Sequence, residues 1–318
     1  MQDISPQSPE ERAKNERPWD RHLRRLGPGS AFFTVVKRVV VGVYSDGFIH
    51  AGNIAYLALV TLFPFFIVLA ALAAFFGRGA DTAMAVNTFL RTVPPEVAQL
   101  VRKPIQDVLL ARTGSLLWLG GAVGLWTVGS FIETIRDILR RAYGTKYSRS
   151  FWHYRLGSVG IIVVAVILAL TAFSAQVTLT AAEQFVYRVL PFASDIGGWI
   201  GLSRLVPLAM LVVALYALFY TLTPSKYRYS QHAPKWPGAV FTACWWIGVT
   251  MLLPLIFARL GSYDLTYGSL AGVIVTLIFF WFVGLGLVFG AHLNAALAET
   301  PDAPVRETPN AEAAPGNG

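Results

Sequence analysis

Six long apolar runs constrain this chain more than any other feature of its sequence. They cover about residues 54–76, 115–132, 156–175, 205–220, 238–257 and 268–293. A helix needs about 20 apolar residues to cross a hydrocarbon core of about 30 Å, whereas a barrel strand alternates over about ten residues. The runs therefore predict an all-α fold, a polytopic membrane bundle of six transmembrane helices.

The composition indicates that lipid is the outer solvent. Only 14% of the residues are charged and 55% are hydrophobic, whereas a soluble domain carries about 25% charged residues. A net charge of +8 would suggest nucleic acid as a partner of a soluble protein, but in a membrane protein it mainly reports topology. We therefore expect no nucleic-acid partner. The single cysteine, Cys244, forms no disulfide within the chain.

The segments around the runs are more polar. Residues 1–29 and 299–318 are expected to be disordered cytoplasmic tails, the first of them basic and without the apolar core of a signal peptide. Residues 30–47 carry apolar side chains at helical spacing and predict an interfacial amphipathic helix that leads into the first span. The connection over 78–113 predicts short helices in the first outer loop, packed on the bundle or lying on the lipid surface. The folded part is one membrane domain over 30–298.

Basic residues indicate the orientation. The N-terminal segment, the loops after the second and fourth spans and the C-terminal tail hold 18 Lys and Arg residues, whereas the opposite loops hold 8. Such residues concentrate on the cytoplasmic side of membrane helices. An even number of spans with both termini in the cytoplasm satisfies this rule.

A row of charged residues at the end of the second span is the first candidate site. Four residues, spaced three and four apart, fall on one helical stripe: Glu133, Arg136, Asp137 and Arg140. A charged side chain costs about 3 kcal/mol near the bilayer centre unless it is paired or wetted, so such positions are functional candidates by default. The stripe is either a charged vestibule or gate, or an ion-pair network that anchors a helix end.

The first and sixth spans carry further candidates. Pro64 frees a backbone carbonyl in the turn that follows Asn53 and Tyr56, and broken helices of this kind form mid-membrane sites in transporters. The alternative is a proline kink that only shapes packing. His292 can titrate near neutral pH, and with Asn294 it is either part of a proton pathway or a hydrogen-bonding group at a helix end.

Two glycine pairs have the GxxxG spacing of closely packed membrane helices. They are Gly120 with Gly124 and Gly286 with Gly290. Because glycine has no side chain, both pairs predict close approach between helices.

Motifs for enzymatic chemistry are absent from the sequence. The five histidines are scattered, and none has the spacing of a metal-binding motif. A nuclease needs clustered carboxylates or histidines to hold metal ions against a phosphate. We therefore expect that the chain is not an enzyme and that it uses neither a cofactor nor a metal ion.

Short motifs along the chain resemble those of a known family. They are Asn53 and Tyr56 with Leu62, Phe63 and Pro64; Phe219, Tyr220, Leu222 and Pro224; Pro237, Gly238 and Ala239; Tyr267, Gly268, Ser269, Leu270, Ala271 and Gly272; and Gly290, Ala291, Leu293, Asn294 and Ala295. Together they resemble the YihY/BrkB family, once called ribonuclease BN-like, over about residues 30–298. The resemblance implies six helices in a bacterial inner membrane and adds Tyr267 and Ser269 to the candidate transport or gating residues. The family commonly has Glu where this chain has His292, so a carboxylate role at that position does not carry over.

Three classes of function are weighed. A secondary transporter, exporter or flippase of an unidentified solute or lipid is favoured by the proline-containing spans, the charged stripe and the Gly-rich sixth span. The alternative is a non-transporting membrane scaffold or envelope-assembly factor. A membrane nuclease is disfavoured. Membrane lipids are expected partners, and the sequence leaves both the substrate and a homo-oligomer open.

Overall fold

A computed structural model of the chain describes a bundle of helices. The described residues are 5–15, 28–75, 86, 87, 90, 93–110, 114–146, 152, 154–165, 167, 198–259 and 270–299, and these ranges contain no strand. The helices are α1 (Pro9–Asn15), α2 (Pro28–Phe75), α3 (Pro95–Leu110), α4 (Gly114–Tyr143), α5 (Tyr154–Ala165), α6 (Gly198–Leu222), α7 (Ser225–Arg228), α8 (Trp236–Arg259) and α9 (Ala271–Leu297). The predicted all-α class is confirmed for this part of the chain.

Within the residues that the structure describes, two helices meet the length and composition needed to cross a membrane. They are Trp236–Phe257 within α8 and the whole of α9, and they correspond to the fifth and sixth predicted spans. The first, second and fourth runs lie on α2, α4 and α6, and the third begins on α5 and continues outside the described residues. The helices thus match the positions of the runs, while six membrane crossings remain a prediction.

α9 is the central helix of the bundle, because it packs against α2, α3, α4 and α8. Phe279 and Val288 on it are fully buried. Val288 belongs to an apolar cluster shared with the ends of α4 and α6, and Phe279 to a second cluster shared with α3 and the middle of α2. The core therefore extends along α9 as two consecutive apolar clusters.

Glycines bring α8 and α9 into close contact. A Cβ added to Gly286 would come within 2.7 Å of Trp245 Cγ, and one added to Gly290 would overlap Thr242 Oγ1. Polar groups pair across the same crossing, since the Thr242 hydroxyl donates to the Gly286 carbonyl at 3.2 Å and Trp245 Nε1 to the Phe282 carbonyl at 2.8 Å. Close helix approach at Gly286 and Gly290 is therefore confirmed.

The predicted interfacial helix and the predicted first span form a single helix. α2 has 48 residues and passes through Pro64, which makes it about 72 Å long at 1.5 Å per residue. Its packing on α9 explains the continuity. The His292 ring lies directly against Gly42, and Ile54 Cβ lies 3.0 Å from where a Cβ on Gly284 would be. The structure thus differs from the prediction of a separate helix over 30–47.

Residues 5–15 are folded onto the bundle, which differs from the expected disorder over 1–29. The Arg12 guanidinium donates to the carbonyl oxygens of Ala295 and Ala298 at 2.8 and 3.0 Å. A cation at these carbonyls also complements the negative end of the helix dipole of α9. Long-range bonds that composition does not reveal therefore order this segment.

α3 is packed into the bundle. Its residues Val97, Val101 and Ile105 have no exposed surface, and they lie in the apolar cluster that includes Phe279 of α9. Of the two alternatives for the 78–113 connection, packing on the bundle therefore holds for α3.

Candidate functional site

A pocket of about 660 Å³ lies where α4 ends, α5 begins and α6 leads into α7. This volume lies within the range of about 300–1,000 Å³ found for small-molecule sites. Five cationic side chains and one carboxylate line it, and we call it the basic pocket: Arg136, Arg140, Lys146, Lys226, Arg228 and Glu10. Within the described ranges, no group of three or more His, Cys, Asp and Glu side chains could hold a metal ion.

The predicted charged stripe contributes Arg136 and Arg140 to the basic pocket. The Arg140 guanidinium donates to Asp137 Oδ1 through Nε at 2.9 Å and through Nη2 at 2.7 Å, and to the Thr145 carbonyl at 3.1 Å. Asp137 Oδ2 accepts a further bond from Arg141 Nε at 2.7 Å. Asp137 therefore fixes the position of Arg140, and this half of the stripe is an ion-pair network beside a pocket.

Glu133, the remaining residue of the stripe, pairs with α5. Arg155 Nη1 lies 3.4 Å from Glu133 Oε1 and donates to Ser130 Oγ at 3.1 Å. The same guanidinium donates to the Trp126 carbonyl and lies 3.9 Å above the centre of the Trp126 ring. The Arg155 side chain is only 6% exposed. Because a buried guanidinium is costly unless it is paired, Glu133, Ser130 and Trp126 together stabilise it between α4 and α5.

Two more cations of the basic pocket are oriented by backbone carbonyls. Arg136 donates to the Tyr154 carbonyl at 3.5 Å and lies 5.2 Å from the centre of the Tyr154 ring. Arg228 donates through Nε to the Thr223 carbonyl at 3.3 Å and through Nη2 to that of Thr221. Since those carbonyls end α6, Arg228 also offsets part of the negative end of that helix dipole.

α1 supplies the carboxylate of the basic pocket. The Tyr227 hydroxyl donates to Glu10 Oε1 at 2.6 Å, and Lys226 Nζ lies 3.1 Å from the same oxygen. The N-terminal segment thus reaches α7 through one anionic side chain.

Two buried titratable groups support α7. The Tyr143 and Tyr227 rings are 5.0 Å apart, and burial raises the pKa of the Tyr143 phenol. Lys235 Nζ donates to the Tyr227 carbonyl at 2.8 Å and to that of Ser230 at 3.3 Å, while burial lowers its pKa. A neutral phenol and a lysine bound to carbonyls therefore fix the turn that carries Lys226 and Arg228.

The candidates of the first span lie apart from the basic pocket. Asn53 and Tyr56 are exposed on α2, with Tyr56 60% exposed. Pro64 is half-buried inside the continuous helix. The Thr61 hydroxyl donates to the Leu57 carbonyl at 2.6 Å, so this stretch keeps local hydrogen bonds. The helix continues through Pro64, and the role of Pro64 in transport or in packing stays a prediction.

The candidates of the sixth span lie at a contact between helices. The side chain of Asn294 is fully buried. Its Oδ1 accepts the Gly238 N–H at 2.8 Å, and its Nδ2 donates to the Lys235 carbonyl at 3.1 Å. His292 is buried against Gly42 of α2. Asn294 therefore satisfies the first turn of α8, as the helix-end alternative predicts. Tyr267 and Ser269 lie outside the described residues.

Five charged residues at or beside the basic pocket were missed in the sequence: Glu10, Lys146, Arg155, Lys226 and Arg228. Glu10 follows Ser8 and Pro9, and serine before a first-turn proline and glutamates is a helix-start signal. The Glu11 N–H donates to Ser8 Oγ at 3.3 Å, as that signal predicts. The four basic residues look like ordinary topology-setting residues of loops, and only the fold brings them together.

The chain has similarity to known membrane proteins along most of its length. The family model described as virulence factor BrkB matches residues 44–315. The chain is 29% identical to the putative ribonuclease-like protein YfkH of Bacillus subtilis over 79% of this chain and 90% of that protein. It is 25% identical to a UPF0761 membrane protein of Vibrio campbellii, over 87% of this chain and 85% of that one. No solved structure matches. The resemblance predicted from the motifs is confirmed, and the chain belongs to the virulence factor BrkB family of membrane proteins.

Proposed function

We propose that this protein is a secondary transporter, exporter or flippase of a solute or lipid, with six spans in the bacterial inner membrane and both termini in the cytoplasm. It works without enzymatic chemistry and without a cofactor. In this orientation the basic pocket faces the cytoplasm. The excess of Lys and Arg on that side supports the orientation, and membrane-protein relatives support the location.

The basic pocket is the observation that carries the proposal. A bundle that only needed to pack could carry the Lys and Arg residues of its cytoplasmic ends without surrounding a cavity. This bundle instead holds about 660 Å³ of space lined by charged residues. The Glu133–Arg155 ion pair joins α4 and α5, which both contribute to that lining. Ionisable groups inside membrane bundles usually mark substrate or ion pathways.

A membrane scaffold or envelope-assembly factor is the second candidate, and the exposed face of α2 favours it. Phe32, Phe33 and Tyr44 are 77%, 70% and 80% exposed. Large exposed apolar patches mark lipid-facing surfaces or docking sites. A scaffold would use this face and would need no ligand in the basic pocket.

The first experiment is mass spectrometry of the small molecules and lipids that co-purify with the protein. The wild type is compared with Arg136→Gln, which removes one positive charge from the lining of the basic pocket. Arg259→Gln is the matched control, because Arg259 is exposed and ends α8. Any retained ligand is then tested for transport in proteoliposomes, and a fluorescent phospholipid is tested in parallel for movement between leaflets.

A carrier is expected to retain a ligand in the wild type and in Arg259→Gln, and to lose it in Arg136→Gln while the thermal transition of the bundle persists. Absence of flux of both the retained ligand and the phospholipid in wild-type proteoliposomes would contradict the carrier. Disrupted partner binding after substitution of Phe32 and Phe33 would then favour the scaffold.

A further inference from the structure

We propose that the basic pocket binds a phosphate group, either free or carried on a lipid headgroup, and that the Glu10 carboxylate occupies part of this anion site. The inference deepens the proposed function, on which it rests for treating the pocket as a substrate site. It names the chemical class that the pocket recognises.

The charges around the pocket favour an anion. Five cationic side chains face one carboxylate in the lining. Asp137 contacts Arg140 from outside the lining and offsets one further charge. The C-terminal ends of α4 and α6 contribute about half a negative charge each. Cationic side chains thus outnumber carboxylates in the described lining, which favours an anion such as a phosphate monoester, whose charge is about −1.5 to −2 at neutral pH.

The cations are held in place before any ligand arrives. Asp137 and the Thr145 carbonyl fix the Arg140 guanidinium. Tyr154 orients Arg136 through its ring and its carbonyl. Guanidinium groups bind phosphate through charge-assisted hydrogen bonds. Preorganised side chains also lose less entropy on binding. The pocket therefore has the rigidity of a binding site as well as its charge.

Glu10 places a carboxylate oxygen against two donors of the site. Its Oε1 accepts the Tyr227 hydroxyl at 2.6 Å and lies 3.1 Å from Lys226 Nζ, and both donors suit a phosphate oxygen equally well. The carboxylate lies on α1. The segment before α1 is joined to the bundle by the Ser5 N–H, which donates to the Arg141 carbonyl at 3.2 Å. Glu10 is therefore an intramolecular competitor, and its charge lowers the affinity for a phosphate.

One wall of the pocket suits an acyl or glycerol group. Gly157, Ile161 and Leu222 contribute uncharged surface from α5 and the end of α6 to the same lining as the cations. A free phosphate would use the cations alone, whereas a lipid phosphate would also use this uncharged surface. The two sources share the same recognition of phosphate, and experiment separates them.

The test is direct binding to the full-length, detergent-purified protein. Inorganic phosphate is titrated by calorimetry at constant ionic strength set with chloride. Phosphatidic acid and phosphatidylcholine are compared by native mass spectrometry. The variants are Glu10→Gln, Arg136→Gln and Lys226→Gln. Arg259→Gln removes a cation elsewhere and is the control. Lys226 is 35% exposed, so its variant is expected to fold even if Arg136→Gln does not.

Loss of one charge-assisted hydrogen bond is expected to weaken binding about tenfold in Arg136→Gln and in Lys226→Gln. Glu10→Gln is expected to bind about threefold to tenfold more tightly, because an opposing charge is removed. Arg259→Gln should match the wild type. Binding of inorganic phosphate identifies the group itself as sufficient. Binding of phosphatidic acid, without binding of inorganic phosphate or phosphatidylcholine, identifies a lipid phosphate monoester.

Absence of saturable binding of every probe to wild type and Glu10→Gln would overturn the proposal. Equal affinity in Arg136→Gln, Lys226→Gln and wild type would overturn it too, because the anion would then lie elsewhere. The binding result is independent of flux. Binding of phosphate without flux would support the anion site and contradict the carrier function. Flux without phosphate binding would support the carrier function and contradict the anion site.

Discussion

The crossing of α8 and α9 differs from the basic pocket in how polar groups are treated. At the crossing, glycines allow the two backbones to touch. The polar side chain of Asn294 bonds with the Gly238 N–H and the Lys235 carbonyl. At the basic pocket, long cationic side chains surround open space, and their partners hold them at its wall.

This difference separates the part of the protein that sets stability from the part that is available for function. Contacts at the crossing are so close that an added methyl group would overlap neighbouring atoms. Substitutions there should therefore affect folding. Contacts at the pocket involve partly exposed charges, and those contribute little to stability. Substitutions there should affect binding and leave the fold intact.

The largest effect is expected for Gly238→Ala. The new Cβ would overlap the Gly290 carbonyl oxygen, a backbone atom that cannot turn away, and would come within 2.7 Å of Asn294 Cγ. Forcing a methyl into such a crossing costs about 3 kcal/mol. Thermal unfolding in detergent, followed by tryptophan fluorescence, should show a clearly lower midpoint. Gly248→Ala on the same helix is the control, since a Cβ there meets nothing within 4 Å; an equal loss in both variants would contradict the close approach.

Asn294→Ala should have the next largest effect. It removes both bonds to the first turn of α8 and leaves the Gly238 N–H and the Lys235 carbonyl buried without these partners. The expected loss is about 2 kcal/mol. Hydrogen exchange should rise in the first turn of α8 before it rises elsewhere. Unchanged exchange at that turn would show that Asn294 acts elsewhere, for example as the transport residue that the sequence also allowed.

The sequence predicts most of the crossing but only part of the pocket, because the crossing depends on local patterns and the pocket on contacts between distant residues. Helix position follows from local apolar runs, and the spacing of Gly286 and Gly290 is itself the signal for close approach. The stripe over 133–140 was found because its spacing is local. Glu10 and Arg228 lie 218 positions apart in the chain, and no local pattern places two such residues at one cavity.

The N-terminal segment shows the same limit. Its composition predicts disorder, because little apolar surface is available for burial. Yet Arg12 reaches the end of α9, and Glu10 reaches α7. A start signal for a short helix was present in the sequence, but the carbonyls and the lysine that hold it come from the folded bundle.

A smaller effect, confined to α1, is expected for Gly144→Ala. Gly144 has φ of +76°, and an added Cβ would come within 2.8 Å of Ser8 Cβ and 3.1 Å of Glu10 Cβ. A left-handed alanine costs about 1 kcal/mol, and the methyl displaces α1. Trypsin should therefore cut after Arg12 faster than in the wild type, while the unfolding midpoint of the bundle changes little. Gly157→Ala, where a Cβ has open space, should leave the cleavage rate unchanged.

The smallest effect on stability is expected for Lys226→Gln, and it gives the sharpest contrast with the crossing. The variant removes the 3.1 Å ion pair with Glu10, but Lys226 is 35% exposed and the Tyr227 hydroxyl still donates to that carboxylate. Exposed pairs of this kind contribute about 0–1 kcal/mol, so the unfolding midpoint should stay within a degree or two of the wild type. A fall as large as that of Gly238→Ala would mean that the pocket charges hold the fold together. The distinction between a structural crossing and a functional pocket would then not hold, and the charges around the basic pocket would be explained as the closure of helix ends.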